Sequence, residues 1–109
     1  MKTILIIAAI SFVTFAFSAS AADPKTNWAN NCAQCHGADG RADTKMGKML
    51  NARNLTDPKV QAAFSDAKAT QSIKEGVKQG GKTTMKAFGG KLTDDEIKAL
   101  VAYVRTLKK

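Results

Sequence analysis

Two cysteines and a histidine share one short stretch of this chain, and these are the residue types best suited to holding a redox cofactor. Residues 32–36 form the pattern Cys-x-x-Cys-His, which is the attachment signature of a c-type haem. Each thiol can add across a haem vinyl group to give a thioether, and the adjacent imidazole is placed to bind the iron. The stretch therefore predicts one covalently attached haem c, held by Cys32 and Cys35, with His36 as an axial ligand of the iron.

Other uses of a closely spaced cysteine pair fit this sequence less well. A structural zinc site needs four protein ligands, whereas the chain has two cysteines and one histidine. A thioredoxin-like redox pair is expected beside a βαβ pattern, and the sequence shows no strand-helix-strand alternation. A plain structural disulfide remains as the simple alternative. The adjoining His36 and the export signal described next favour the haem.

The N-terminal residues have the pattern of a cleavable secretory signal. Lys2 precedes an apolar run over residues 4–17, and small residues follow up to Ala22, the order found in signal peptides. The run is shorter than the roughly 18 apolar residues of a membrane-spanning helix. We therefore expect a signal peptide at residues 1–22, a monohaem domain at residues 23–109, export to the periplasm and no stable insertion into a membrane.

The charge of the chain bears on its partners. It carries 17 Lys and Arg against 9 Asp and Glu, a formal net charge of +8. The lysines are dispersed along the sequence rather than clustered in the runs typical of nucleic-acid-binding arms, so no nucleic-acid partner is expected. A basic surface can be merely solvated, or it can steer association with acidic redox partner proteins. The chain is long enough for one small domain, and we expect the protein to be a monomer.

Helices joined by loops are the predicted elements. Proline near the start of the first helix, and serine or aspartate before a later one, are N-terminal helix signals, while paired glycines indicate a helix end. The elements predicted before the last helix are a first helix from Pro24 to about Gly37, a loop over 37–56, a short helix over 58–64, and a longer helix from Ser65 or Asp66 to Gly80-Gly81.

The last helix has the clearest sequence signals. Thr93 and Glu96 have the spacing of a capping box, which satisfies free backbone donors at a helix N-terminus. Apolar residues then recur at helical spacing and predict one buried stripe: Ile97, Leu100, Val101, Val104 and Leu107. No strong strand is predicted, so the fold class is all-α.

The second axial position of the iron decides between an electron carrier and a catalyst. His36 is the only histidine, which excludes bis-histidine ligation within the chain and leaves methionine, lysine or an open site. Met46 and Met49 follow His36 closely, whereas Met85 lies far downstream in a predicted loop between two helices. That distance suits the opposite haem face, although a methionine can equally fill a gap in a core. Spacing favours Met85 and leaves the other possibilities open.

Beyond the signal, the sequence resembles the class I c-type cytochromes, specifically the small bacterial monohaem proteins. The resemblance rests on three features: Trp28 four residues before the first cysteine, the C-terminal pattern Leu100-x-x-Tyr103-Val104-Arg105, and Met85-Lys86-Ala87-Phe88 where the family commonly has Met-Pro-x-Phe. It implies a cytochrome c fold of three to five helices around one covalently bound haem. It also implies that the terminal helices cross, with Trp28 against Leu100 and Tyr103, and that Met85 is the second axial ligand.

The chain departs from the family pattern in two places. Lys86 stands where a proline commonly follows the methionine ligand. Ala52-Arg53-Asn54-Leu55 replaces a segment that usually reads Gly-Pro-x-Leu. The resemblance implies that the backbone carbonyl of Arg53 accepts the Nδ1 proton of His36 and so fixes the orientation of the ring.

The function implied by the resemblance is one-electron transport rather than enzymatic catalysis. A methionine-histidine pair raises the potential of a haem, and docking to a partner would involve lysines near the haem, including Lys82 and Lys86. Two alternatives remain. One is a haem subunit of a larger oxidase or dehydrogenase, and the other is an open-site haem protein that binds a gas or acts as a peroxidase. Against the peroxidase alternative, the chain has no second histidine that could serve as a distal acid-base group.

Overall fold

Six helices and one β-hairpin make up the part of the chain that the structure describes, residues 9–14 and 22–109 of a computed structural model. Their bounds are α1 Pro24–Asn31, α2 Ala33–His36, α3 Lys45–Met49, α4 Pro58–Ala62, α5 Asp66–Glu75, β1 Val77–Gln79, β2 Lys82–Met85 and α6 Asp94–Thr106. The predicted signal peptide falls mostly outside the described residues. Of its apolar run, Ile10, Phe12 and Val13 are exposed and add nothing to the core.

The first predicted helix is present but interrupted. Pro24 occupies its first turn, where a missing N–H costs no hydrogen bond. Cys32 separates α1 from α2, and Gly37 ends α2 with φ at +78°, a conformation that favours glycine. The predicted helix from Pro24 to about Gly37 is therefore confirmed, as two helical pieces joined at the first cysteine.

The predicted loop over residues 37–56 is wrong at its centre, because α3 lies within it. Thr44 is the N-cap of α3, and its side chain accepts a hydrogen bond from the backbone N–H of Gly47. Five residues are too few to show a helical period of apolar side chains. Helices this short depend on tertiary packing, and α3 packs on α2.

The helix that begins after Ser65 is confirmed at its start and wrong at its end. The Ser65 side chain caps α5 by accepting from the backbone N–H of Lys68. The helix stops at Gly76, whose φ is +78°, before it reaches Gly80 and Gly81. A glycine with positive φ, which other residues rarely adopt, therefore ends the helix.

Gly80 and Gly81 instead form the turn of a β-hairpin. Both have positive φ, +57° and +78°, as a two-residue type I′ turn requires. The strands β1 and β2 pair antiparallel, and Met85 lies opposite Val77. The expectation of no strong strand is therefore wrong, and Met85 ends a strand rather than lying in a loop between helices.

The terminal helix α6 supplies half of the residues in the buried core cluster. Its capping box between Thr93 and Glu96 is confirmed. The buried core cluster joins this helix to the others through Trp28, Leu55, Ile73, Leu92, Ile97, Leu100, Val101 and Val104, with Leu107 of the predicted stripe partly buried against it. The ring of Trp28 lies 5.6 Å from that of Tyr103, so the predicted crossing of terminal helices is confirmed.

The architecture confirms the all-α prediction of a cytochrome c fold, with the small hairpin added to it. The described residues contain six helices against the three to five expected, or five if α1 and α2 are taken as one interrupted helix. No helix within residues 9–14 and 22–109 is long and apolar enough to cross a membrane.

Candidate functional site

The two cysteines and the histidine lie on one helical turn. The backbone carbonyl of Cys32 accepts from the N–H of Cys35 at 3.3 Å and from that of His36 at 2.9 Å. Both cysteines are free thiols and half-buried, so the disulfide alternative is not realised. The turn presents two sulfur atoms and one imidazole from a single short segment.

The environment of Cys32 keeps its sulfur uncharged. Burial raises the pKa of the Cys32 thiol to about 11, and the neighbouring Cys35 adds to the shift. The side chain also packs against the buried core cluster. A large apolar cofactor joined to this sulfur would therefore lie beside the apolar core.

His36 is held with its ring against the core. Its centroid lies 5.7 Å from that of Trp28, and the Trp28 indole N–H donates to the carbonyl of Gly37 at 3.0 Å. Burial lowers the pKa of His36, and the Arg53 backbone opposes part of that shift. The ring is therefore neutral at physiological pH, the form in which imidazole binds a metal.

The Nδ1 atom of His36 lies near the Arg53 backbone, its predicted acceptor, without a hydrogen bond to it. The Nδ1 atom is buried and has no partner with complete hydrogen-bond geometry. The Arg53 backbone is nevertheless close enough to raise the pKa of the ring. Arg53 is thus adjacent to Nδ1 and not bonded to it. No other acceptor in the described part of the chain bonds to this nitrogen, so acceptance by the Arg53 carbonyl stays a prediction.

Helix α3 supports the cysteine-histidine turn from one side, a role that the sequence analysis missed. The Thr44 hydroxyl donates to the carbonyl of Cys35 at 2.8 Å. A Cβ atom at Gly47 would overlap the Cys35 carbonyl and lie 2.6 Å from that of Ala42, so only glycine allows this approach. The sole sequence signal was Thr44 as a possible N-cap, which says nothing of what the helix contacts.

Among the three downstream methionines, Met85 is the one that packs on the core. It is half-buried at the end of β2 and contacts the same buried cluster as Cys32. Met46 is half-buried on α3 outside that packing, and Met49 is 66% exposed. The structure thus brings Cys32, Cys35 and His36 together on one turn, and brings Met85 to the same core from the hairpin.

The residues of this site fit a covalently bound haem c. Free thiols can form the thioethers, and a neutral imidazole whose Nδ1 lies beside the Arg53 backbone leaves its Nε2 to bind iron. Neither residues 9–14 nor residues 22–109 contain a group of three or more His, Cys, Asp or Glu side chains that could hold a metal ion without such a cofactor. The side chains of Cys32, Cys35 and His36 are therefore suited to an iron ion that is already bound within a porphyrin ring.

Comparison with known proteins gives a consistent result. The family model described as cytochrome c oxidase, cbb3-type, subunit III matches residues 19–104. Cytochrome c6 of Synechococcus sp. is 35% identical over 111 residues, which cover 95% of this chain and 91% of that protein. The solved structure of the KustC0563 c-type cytochrome is 39% identical with a TM-score of 0.72, covering 81% of this chain and 100% of that chain.

A second group of relatives is much longer than this chain. The cbb3-type cytochrome c oxidase subunit FixP of Azorhizobium caulinodans is 39% identical over 80 residues, which are 73% of this chain. Those residues are 25% of the FixP protein. The chain therefore spans about a quarter of the length of these relatives.

Proposed function

Since the chain belongs to the class I c-type cytochromes, whose cofactor is a covalently attached haem c, we propose that it is a one-electron carrier and not an enzyme. In this proposal Cys32 and Cys35 would hold the haem through thioether bonds, and His36 and Met85 would bind its iron. When bound, the haem supplies an Fe(III)/Fe(II) couple. The packing of Met85 on the same core cluster as Cys32 carries the proposal.

The protein side chains determine how easily the electron moves. His36 is kept neutral by burial and is oriented between Trp28 and the Arg53 backbone. Met85 is fixed by the pairing of β2 with β1. Because both ligands belong to packed elements, little has to move between the two oxidation states. The soft sulfur of Met85 would favour the reduced state and so raise the potential.

The absorption spectrum of the oxidised, haem-loaded protein tests the ligand assignment. Methionine-ligated ferric haem gives a weak sulfur-to-iron charge-transfer band in the far red. We expect this band in the wild type and in Met49→Ala, whose side chain is exposed, but not in Met85→Ala. A high-spin wild type that binds cyanide when oxidised or carbon monoxide when reduced would replace the proposal with the open-site alternative.

We also propose export to the periplasm by a signal peptide at residues 1–22, and docking to acidic redox proteins. The hairpin that carries Met85 has exposed lysines at positions 78 and 82, and Lys86 is exposed just after it. Positive charge beside a redox centre accelerates encounters with an acidic partner, and salt weakens this effect.

Charge reversal on and off the hairpin tests the docking surface. Lys82→Glu and Lys86→Glu should slow electron exchange with an acidic partner at low salt, and the difference from wild type should shrink as salt rises. Lys59→Glu on α4 changes the net charge equally outside the hairpin. Equal slowing by Lys59→Glu would show that only net charge matters.

The FixP relatives favour a second candidate, a haem-carrying part of a larger oxidase or dehydrogenase. The match covers most of this chain but about a quarter of FixP, so similar domains occur within longer proteins. Purification from native membranes in mild detergent distinguishes the two. A stable stoichiometric complex supports the subunit role, whereas recovery of the free protein supports a diffusible carrier.

A further inference from the structure

Gln61 is a buried polar side chain whose amide joins two segments far apart in sequence. It is 4% exposed. Its Nε2 donates to the carbonyl of Leu55 at 2.6 Å and to that of Val104 at 2.9 Å, and its Oε1 accepts from Arg105 at 2.9 Å. Both N–H donors and the oxygen are thus used, which fixes the orientation of the amide. Gln61 links α4 to α6 and to the loop that precedes α4.

Arg105 holds Gln61 in place. Its Nη1 also donates to the backbone carbonyl of Gln61 at 2.6 Å, and its Nη2 donates to that of Phe64 at 2.8 Å. Its Nε donates to Asp66 at 2.8 Å, and the guanidinium lies 4.4 Å from the centre of the Phe64 ring. The position of Gln61 is therefore set by the end of α6.

The segment from Ala52 to Leu55, which contains Arg53, is anchored at both ends. The N–H of Ala52 donates to the carbonyl of Gly47 at 2.9 Å, and the N–H of Leu55 donates to that of Gly40 at 2.8 Å. Gln61 fixes the carbonyl of Leu55 from the other side. Between these anchors lies Arg53, whose backbone is beside the Nδ1 atom of His36.

We propose that Gln61 is a positioning residue for His36. By holding Leu55, it sets the separation between the Arg53 carbonyl and Nδ1, and so how strong a hydrogen bond these two groups can form in the haem-loaded protein. A stronger bond makes the imidazole a better electron donor, which stabilises ferric iron and lowers the potential. The inference rests on the proposed ligation of iron by His36 and adds a determinant of its potential located on α4.

The test replaces Gln61 with methionine, which has a similar volume and no donor. The Leu55 carbonyl loses its partner, the segment relaxes, and the Arg53 carbonyl moves away from Nδ1. We expect a three- to tenfold shift of the equilibrium toward Fe(II), or about 30–60 mV from the value of about 59 mV per tenfold for one electron. Equilibrium redox titration measures the potential. The NMR shift of the Nδ1 proton in the reduced protein measures the hydrogen bond itself.

Asp66→Ala is the matched control. It removes the acceptor of Arg105 Nε and leaves the Gln61 donations to Leu55 and Val104 in place. We expect lower stability with an unchanged potential and Nδ1 shift. If both variants move the potential equally, general loosening explains the effect and the inference is wrong.

Two further outcomes separate this inference from the proposed function. If wild-type haem is low-spin and methionine-ligated, but Gln61→Met lowers stability without changing the potential or the Nδ1 shift, only the inference fails. If the wild type itself lacks the low-spin spectrum, the proposed ligation fails first. Should Gln61→Met not fold, Gln61→Asn retains the amide but is too short to reach both carbonyls, and the same shift in potential is expected.

Discussion

Replacing Gly47 with alanine tests whether the close approach of α3 to the cysteine-histidine turn is required. The added methyl group would overlap the Cys35 carbonyl and approach Ala42 O to 2.6 Å and Thr44 Oγ1 to 2.9 Å. Two of these atoms belong to the backbone, and Cys35 O is held by the Thr44 hydroxyl at 2.8 Å. The neighbours cannot rotate away, so helix and turn must separate.

Two opposing effects determine the size of the change. Overpacking in a close-packed site costs about 1–3 kcal/mol, and three contacts under 3 Å place Gly47→Ala near the upper end. Alanine in place of glycine within a helix stabilises the folded state by about 1 kcal/mol. We expect a net loss of roughly 2 kcal/mol, which for a domain of this size lowers the melting temperature by roughly 8–16 °C.

Thermal and denaturant unfolding of the haem-loaded protein measure this loss, and the yield of covalently attached haem gives a second readout. Gly90→Ala is the matched control, because Gly90 lacks a positive φ and a Cβ there would meet nothing within 4 Å. Its stability should equal or slightly exceed that of wild type. If Gly47→Ala is as stable as Gly90→Ala and attaches haem normally, the reasoning about α3 is refuted.

Two further predictions concern the crossing and the hairpin. The amide of Asn27 donates to Glu96 at 2.8 Å and lowers the pKa of that carboxyl. The bond therefore stabilises the fold fully when the pH is above the ordinary pKa of glutamate, and this stabilisation is lost as the pH falls through the lowered pKa of Glu96. Asn27→Ala should therefore flatten the fall in unfolding midpoint as the pH drops below the ordinary pKa of a glutamate side chain; an unchanged slope contradicts this. A Cβ at Gly76, where φ is +78°, would lie 2.7 Å from the Met85 carbonyl. Gly76→Ala should weaken the far-red band, whereas Gly81→Ala, with the same φ and no neighbour within 4 Å, should retain it.

The parts of the fold that could be predicted are those with local signals. Covalent attachment of haem requires a fixed spacing of Cys32, Cys35 and His36, which is visible without any tertiary information. The capping box at Thr93 and the apolar stripe of α6 are likewise local, because both arise from the helical repeat. These features identified the site turn and one of the crossing helices.

The parts that were missed depend on contacts between distant residues. Helix α3 forms where Gly47 fits against Cys35, and five residues carry no period from which to infer it. Gly80 and Gly81 signalled a break, but a glycine pair can end a helix or turn a hairpin, and Gly76 had already ended α5. Gln61 carried no signal, because a glutamine on a short helix is normally exposed. Gln61 is buried because α6 lies beside α4 and bonds to its side chain through Val104 and Arg105.

The contact between the two terminal helices also affects how this protein opens. Asn27 and Glu96 are separated by 69 positions, and the ring of Trp28 also contacts Tyr103 of α6. Neither helix can bury its apolar face while the other is detached, so α1 and α6 should unfold together. Amide protons on the buried sides of both helices should then exchange with solvent through one shared opening reaction. In that reaction the two ends of the domain form a single cooperative unit, while the intervening hairpin exchanges faster.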